Sequence, residues 1–223
     1  MTAILRASAG GLALGALVVA TTPAFPAPPG LLTHEEALQA IQSHAEPEAR
    51  RAAVQALGET GTSADQPLLV AALRDDDQVV RAMAESALWQ VWSRAGDLEV
   101  DRLFVEGVTA MGARMLRQAA QTFTRIIELK PEFAEGWNKR ATVYYLLGEF
   151  DKSLADCDEV IKRNPDHFGA LSGYGMIYLQ LDQPERALDY FRRALAVNPN
   201  LRQVRSTIEE LRRLLRERGR ETT

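Results

Sequence analysis

The sequence predicts an all-α fold, an α-solenoid of helical hairpins closed by a capping helix, and two repeats carry that prediction. Pro131, Pro165 and Pro199 stand 34 residues apart, and the residues ahead of each proline recur in step with it. Small residues share one phase at Gly107, Ala141 and Gly175 and another at Ala119, Ser153 and Ala187. Leu103, Trp137 and Leu171 share a bulky phase, as do Phe123, Cys157 and Phe191 apart from the small cysteine. A fixed period of this length is one supersecondary unit copied three times. Upstream, a weaker period of 31 residues relates Ala49, Arg50, Ala53, Ala56 and Leu57 to Val80, Arg81, Ala84, Ala87 and Leu88.

Taken in order, residues 1–24 are expected to be an export signal. Arg6 gives a short positive start, Ala9 to Ala20 is apolar and uncharged, and Thr22, Pro23 and Ala24 form a small-residue exit. The expected location is therefore exported, in a bacterial periplasm, with anchoring by an uncleaved N-terminal segment as the alternative. A Pro-rich linker spans 25–32. From 33 to 96 the pattern is helical. Thr33 with Glu36, and Ser63 with Gln66, fit capping boxes, while Pro47 and Pro67 suit first helical turns. Asp75, Asp76 and Asp77 are expected to cap the following helix, since acidic groups are favourable at helix N-termini. This segment resembles short HEAT-like repeats, also found in phycobilisome lyase relatives, in which an arginine-bearing Ala-rich helix packs on a Leu-rich one.

The region 97–200 divides into repeats at about 100–133, 134–167 and 168–200. Its phases resemble the tetratricopeptide repeat, with bulky, small and aromatic positions on the first helix and small and aromatic ones on the second. Gly107, Ala141 and Gly175 are expected to let paired helices approach, with Phe123, Cys157 and Phe191 filling the space between hairpins. Each proline is expected to stop the second helix of its unit. Gly148 suits the middle turn, and Asp182 with Pro184 is expected to supply a cap and first turn in the last. Leu201, Val204, Ile208, Leu211 and Leu215 form a helical stripe expected to cover the last hairpin, as a capping helix over 201–218 followed by a tail, 219–223.

Function is narrower still. The chain has 223 residues, 46% of them hydrophobic, and a formal charge of −4, which disfavours a nucleic-acid partner. No cofactor or metal site is expected. His34, His44 and His167 are scattered and are expected to be surface or capping residues, and no nucleophile motif is present. Cys157, the only cysteine, is expected to be a small buried hydrophobe.

In tetratricopeptide arrays the first helices line a concave face. That resemblance places a protein-binding groove on Phe104, Val108, Met111, Asn138, Thr142, Tyr145, Ser172, Met176 and Leu179, suited to a peptide or protein segment with apolar anchors. Some family members clamp an acidic C-terminus; here Phe104, Val108, Gly169 and Gly173 fill the corresponding places and only Asn138 and Lys139 stay polar, so that clamp is not expected. The implied function is a non-catalytic exported scaffold or adaptor. An enzyme or cofactor-attaching protein of the lyase-related type would have to use His34, His44 or the Asp75 to Asp77 run. A third reading docks the Arg-rich C-terminal helix on an anionic envelope surface.

Overall fold

A proline has no N–H to donate and pushes the residue before it out of helical backbone. Lys130, Asn164 and Asn198 obey this constraint at φ/ψ of −142/74, −139/89 and −116/98, each ending its helix while its own N–H still reaches back to Ile126, Val160 and Ala194. The computed structural model describes residues 32–42 and 46–221; the expected export signal and His44 lie outside the described residues. Among the described residues there are eleven α-helices and no strand. They are α1 (His34–Gln42), α2 (Pro47–Thr60), α3 (Gln66–Ala72), α4 (Gln78–Trp92), α5 (Leu98–Gly112), α6 (Leu116–Leu129), α7 (Ala134–Leu146), α8 (Phe150–Arg163), α9 (Phe168–Gln180), α10 (Pro184–Val197) and α11 (Arg202–Glu221).

The helices α5 and α6, α7 and α8, and α9 and α10 pair as three hairpins. A Cβ added at Gly107 would lie 2.8 Å from the Phe123 ring, and one at Gly175 would lie 2.5 Å from the Phe191 ring. Both phenylalanines are wholly buried, so the glycine is the space that the ring occupies. The middle hairpin makes the opposite exchange: Ala141 faces the smaller Cys157. Arg140 ties this hairpin to the first, donating to both carboxylate oxygens of Asp156 at 2.8 Å and to Thr124 Oγ1 at 2.9 Å.

Each hairpin turns through one residue in left-handed backbone, and the three are spaced by the same period: Arg114 (φ 61), Gly148 (φ 76) and Asp182 (φ 50). The next N–H in each case closes back on the first helix, from Met115 to Ala110, Glu149 to Tyr144 and Gln183 to Tyr178. This is the C-terminal closure that glycine adopts without steric cost. Asp182 therefore shapes the turn, and Gln183, not Asp182, is the N-cap residue of α10.

The helix α11 takes the place of a fourth first helix. Val204, Ile208, Leu211 and Leu215 pack on Leu188 and Phe191 as the stripe requires, but Leu201 joins the core of the N-terminal segment instead. The exposed Glu209 stands 34 residues after Gly175. A carboxylate side chain stands there in place of the small residue that faces the paired helix in the hairpins.

In the N-terminal segment, α2 and α4 stack around Val54, Leu57, Ala84 and Leu88. Thr33 and Glu36 form the expected capping box. The second box is displaced by one residue: Thr62 and Asp65, not Ser63 and Gln66, cap a 3-10 turn over Ser63–Asp65, and Gln66 is the first residue of α3. Asp77 caps α4 by accepting the Val80 N–H at 2.9 Å. The aspartate run also grips α2, with Arg50 bidentate on Asp75 and Arg51 bidentate on Asp77. The Arg51 guanidinium and the Val80 N–H lower the Asp77 carboxyl from 3.8 to about 2.

Of the three left-handed turn residues, Arg114 is exposed and carries a Cβ in a conformation that costs an L-residue roughly 1–2 kcal/mol. Arg114→Gly is expected to raise stability by about 0.5–1 kcal/mol after the glycine's larger unfolded-state entropy is subtracted. Thermal and urea unfolding followed by circular dichroism measure it; a lower midpoint would contradict this account of the turn.

Candidate functional site

The three pre-proline residues do more than end helices. Lys130 Nζ donates to the Ala95 carbonyl, Asn164 Oδ1 accepts from Gln66 Nε2 at 2.8 Å, and Asn198 Nδ2 donates to Glu85 at 3.0 Å. One phase of the 34-residue period therefore bonds the N-terminal segment three times over. Asn200 adds a bond to the Leu73 carbonyl at 2.7 Å, and Trp92 Nε1 donates to Gln66 at 2.8 Å. Against this seam Trp89 and Trp92 form an aromatic knot with His167 and Phe168, in which Trp92 stacks on His167 at 4.3 Å between ring centres.

His167 is the polar centre of the knot. It caps α9, as a capping reading requires, but it is wholly buried and not a surface residue. Its Nδ1 accepts the Ala170 N–H at 3.1 Å, so the proton resides on Nε2, which donates to Glu135 at 2.9 Å. Asn138 Nδ2 donates to the same carboxylate oxygen at 3.0 Å, and the Lys139 ammonium lies 2.9 Å from the other. Burial opposes a charge on Glu135; the His167 hydrogen bond and the Lys139 charge outweigh it and hold the carboxyl below its ordinary value.

This cluster decides which part of the concave face is open. Trp89 lies over the first turns of the first helices: the Lys139 ammonium is 5.6 Å from its ring centre, and a Cβ at Gly169 would meet it at 2.5 Å. Asn138 and Lys139, the two polar groups left for a carboxylate, are both directed at Glu135. The open part begins beyond them, between α7 and α9. There Asn138, Thr142, Tyr145 and Met176 line a pocket of about 180 Å³ whose walls and floor include Ala141, Ser153, Cys157 and Gly173.

Four of the nine expected groove residues thus share one pocket. Val108 is exposed on α5, and Ser172 is half-buried on α9 with its hydroxyl bonded to the Phe168 carbonyl at 2.8 Å. The other three are corrected by packing. Phe104 is buried edge-on against Phe123 and Phe133, Met111 packs into the core of the first hairpin, and Leu179 packs under the capping helix. Their phase matched the groove, but the first helix has no preceding hairpin to pack on and the last is roofed by α11.

Sequence reasoning missed Gly173 and Cys157 as pocket residues, although the signal was present. A cysteine where the other repeats carry phenylalanine removes a ring, and a glycine opposite it removes a side chain; Gly173 has only Cys157 Sγ near it, at 3.8 Å from an added Cβ. Cys157 is buried as a small hydrophobe, and that burial, with Asp156 and Asp158 adding to it, pushes its thiol up to about 12. Of the residues a lyase-type reaction would have to use, three are paired within the protein: His34 with Asp65 at 3.0 Å, and Asp75 and Asp77 with arginines. Among the described residues no group of three or more His, Cys, Asp or Glu is placed to hold a metal ion.

Comparison with known families agrees with this division. Residues 132–200 match the tetratricopeptide repeat family, and residues 28–89 match HEAT repeats. The chain carries tetratricopeptide repeats over 132–200, behind a segment of HEAT repeats. The family match covers the second and third hairpins; the first, α5 and α6, shares the turn geometry of both and the glycine-to-phenylalanine packing of the third. A TPR repeat-containing protein of Rhizobium etli is 31% identical over 126 residues, which is 56% of this chain and 61% of that one, so the chain spans under two thirds of that relative. Among solved structures, the Sgt2 TPR domain from Aspergillus fumigatus is 21% identical with a TM-score of 0.53, covering 56% of this chain and 83% of that domain. The first TPR of Spaghetti (RPAP3) bound to an HSP90 peptide is also 21% identical, with a TM-score of 0.50, covering 52% of this chain and 92% of that one. Both likenesses establish the fold.

Removing Glu135 would leave the buried His167 Nε2–H without an acceptor and Lys139 without its counter-charge. Glu135→Ala is expected to destabilise by about 3 kcal/mol, read by denaturant unfolding. Because the folded carboxyl titrates below its ordinary value of 4.5, its contribution is complete above that pH and is lost as pH falls through the folded value. The stability advantage of wild type over Glu135→Gln should accordingly shrink below pH 4.5; an advantage constant from pH 7 to pH 3 would contradict it.

Proposed function

We propose that the protein is a non-catalytic scaffold that holds a peptide or protein segment on the open part of its concave face. One observation carries the reading: the pocket between α7 and α9, where Thr142, Tyr145 and Met176 are at least partly exposed above a floor opened by Cys157 and Gly173. A volume of about 180 Å³ suits one apolar side chain. Thr142 and Tyr145 place polar atoms beside that apolar floor, the combination by which a groove seats an apolar anchor and orients the chain that carries it. The solved relative bound to an HSP90 peptide supports peptide binding as a use of this fold. Asn138 and Lys139 are committed to Glu135 here, so the reading favours an apolar anchor over an acidic terminus.

The scaffold is proposed to work in the cell envelope. The support is the apolar, uncharged run from Ala9 to Ala20 behind Arg6 and before Thr22, Pro23 and Ala24. Fractionation of the native host, with N-terminal sequencing of the recovered protein, tests it. Recovery in the cytosol with Met1 or Thr2 at the N-terminus would overturn the envelope assignment.

Two variants test the pocket. Tyr145→Ala with Met176→Ala should leave helicity and the melting temperature close to wild type while abolishing recovery of the native partner after mild crosslinking and affinity isolation. Ala141→Gly with Cys157→Phe should fill the pocket with a ring while reproducing the glycine-to-phenylalanine packing of the neighbouring hairpins, and should abolish the same recovery. Equal recovery by wild type and both folded variants would remove the groove from the account.

A further inference from the structure

We propose a second ligand site, for a compact multivalent oxyanion, in the cleft between α4 and the start of α11. Arg81, Arg202 and Arg205 line a cavity of about 370 Å³ there, together with Gln78, Glu85 and Asn200. Three guanidinium groups therefore face one cavity in a chain whose formal charge is −4.

What matters is how these arginines are held. Three partly buried arginines elsewhere are neutralised by carboxylates, Arg50 on Asp75, Arg51 on Asp77 and Arg140 on Asp156, whereas Arg94 is held on the Gly58 and Gly61 carbonyls. The cleft uses carbonyls as well. Arg81 donates to the carbonyls of Asp75 and Asp76, at 2.7 and 3.0 Å, and Arg205 to the carbonyl of Pro199 at 2.6 Å. A carbonyl orients a guanidinium without cancelling its charge. Arg202 makes no hydrogen bond or ion pair among the described residues. The one carboxylate lining the cavity, Glu85, has an oxygen bonded to Asn198 at 3.0 Å. Three positive groups against one negative leave the cleft with a formal charge of +2.

The two walls are also fixed relative to each other. Asn198 and Asn200 bond Glu85 and the Leu73 carbonyl across the junction, and Leu201 packs into the N-terminal core. The arginines therefore sit on opposed, pre-positioned surfaces, which is the arrangement that recognises oxyanions through paired N–H donors. Phosphoryl and carboxylate groups share this chemistry. The site is separate from the concave pocket, which none of its lining residues enters.

Isothermal titration of the full chain at low salt with pyrophosphate, and separately with citrate, tests the site. Saturable one-to-one binding of either probe is expected, and the tighter of the two assigns the cleft to phosphoryl or to carboxylate ligands. Arg202→Ala with Arg205→Ala should weaken it at least tenfold, because each lost guanidinium removes a charge-assisted pair. Arg212→Ala with Arg213→Ala, on exposed positions of the same helix, should leave it unchanged. Circular dichroism verifies folding, and Arg202→Gln alone, expected to weaken binding severalfold, serves if the double variant unfolds. Absence of saturable binding by both probes, or equal loss from the cleft and control variants, would overturn the proposal.

Discussion

The structure depends on what a proline does to the residue before it. Lys130, Asn164 and Asn198 are forced out of helical backbone, which ends three helices at one phase of the repeat. An ended helix is also a side chain released from the helix surface. Those three side chains all turn to the same edge of the array, and the N-terminal segment is bonded there. A local steric rule, repeated at a fixed period, thus becomes a seam between two kinds of helical repeat.

The seam brings consequences for the concave face. Once α4 lies along it, Trp89 and Trp92 pack on His167 and Phe168, and the face loses its first turns to that packing. Glu135 can then be buried with its charge because His167, Asn138 and Lys139 converge on it. Breaking any one of these contacts would expose the cost of desolvating the rest. The polar groups that could have met a carboxylate ligand are consumed by a carboxylate of the protein's own.

Variation among the repeats, and not the repeat itself, makes the pocket. Phe123 and Phe191 fill the space beside Gly107 and Gly175, whereas Cys157 beside Ala141 leaves part of it empty and Gly173 leaves it open toward α9. A solenoid with three identical hairpins would present a smoother face. The departure at one position is therefore the more informative signal for binding, and the conserved period is the signal for shape.

The all-α solenoid was legible from residue spacing, because hydrophobic periodicity and proline position act through near neighbours in the chain. The same reasoning anticipated the hairpin packing at Gly107 and Gly175, the cap at Asp77 and the burial of Cys157. It found the pocket only in part: Asn138, Thr142, Tyr145 and Met176 line it, while Phe104, Met111 and Leu179 are taken into packing. The miss has one cause. A helical phase tells which residues share a face, and it is blind to what another part of the chain lays on that face. The sequence by itself determined the hairpins and the helix ends ahead of each proline, since each follows from local sterics. The tertiary structure alone decided that Trp89 lies against Lys139 and Gly169, that Glu135 is buried with His167, and that Arg81 shares a cavity with Arg202 and Arg205, because those neighbours lie some 30 to 120 residues apart and nothing local encodes their meeting.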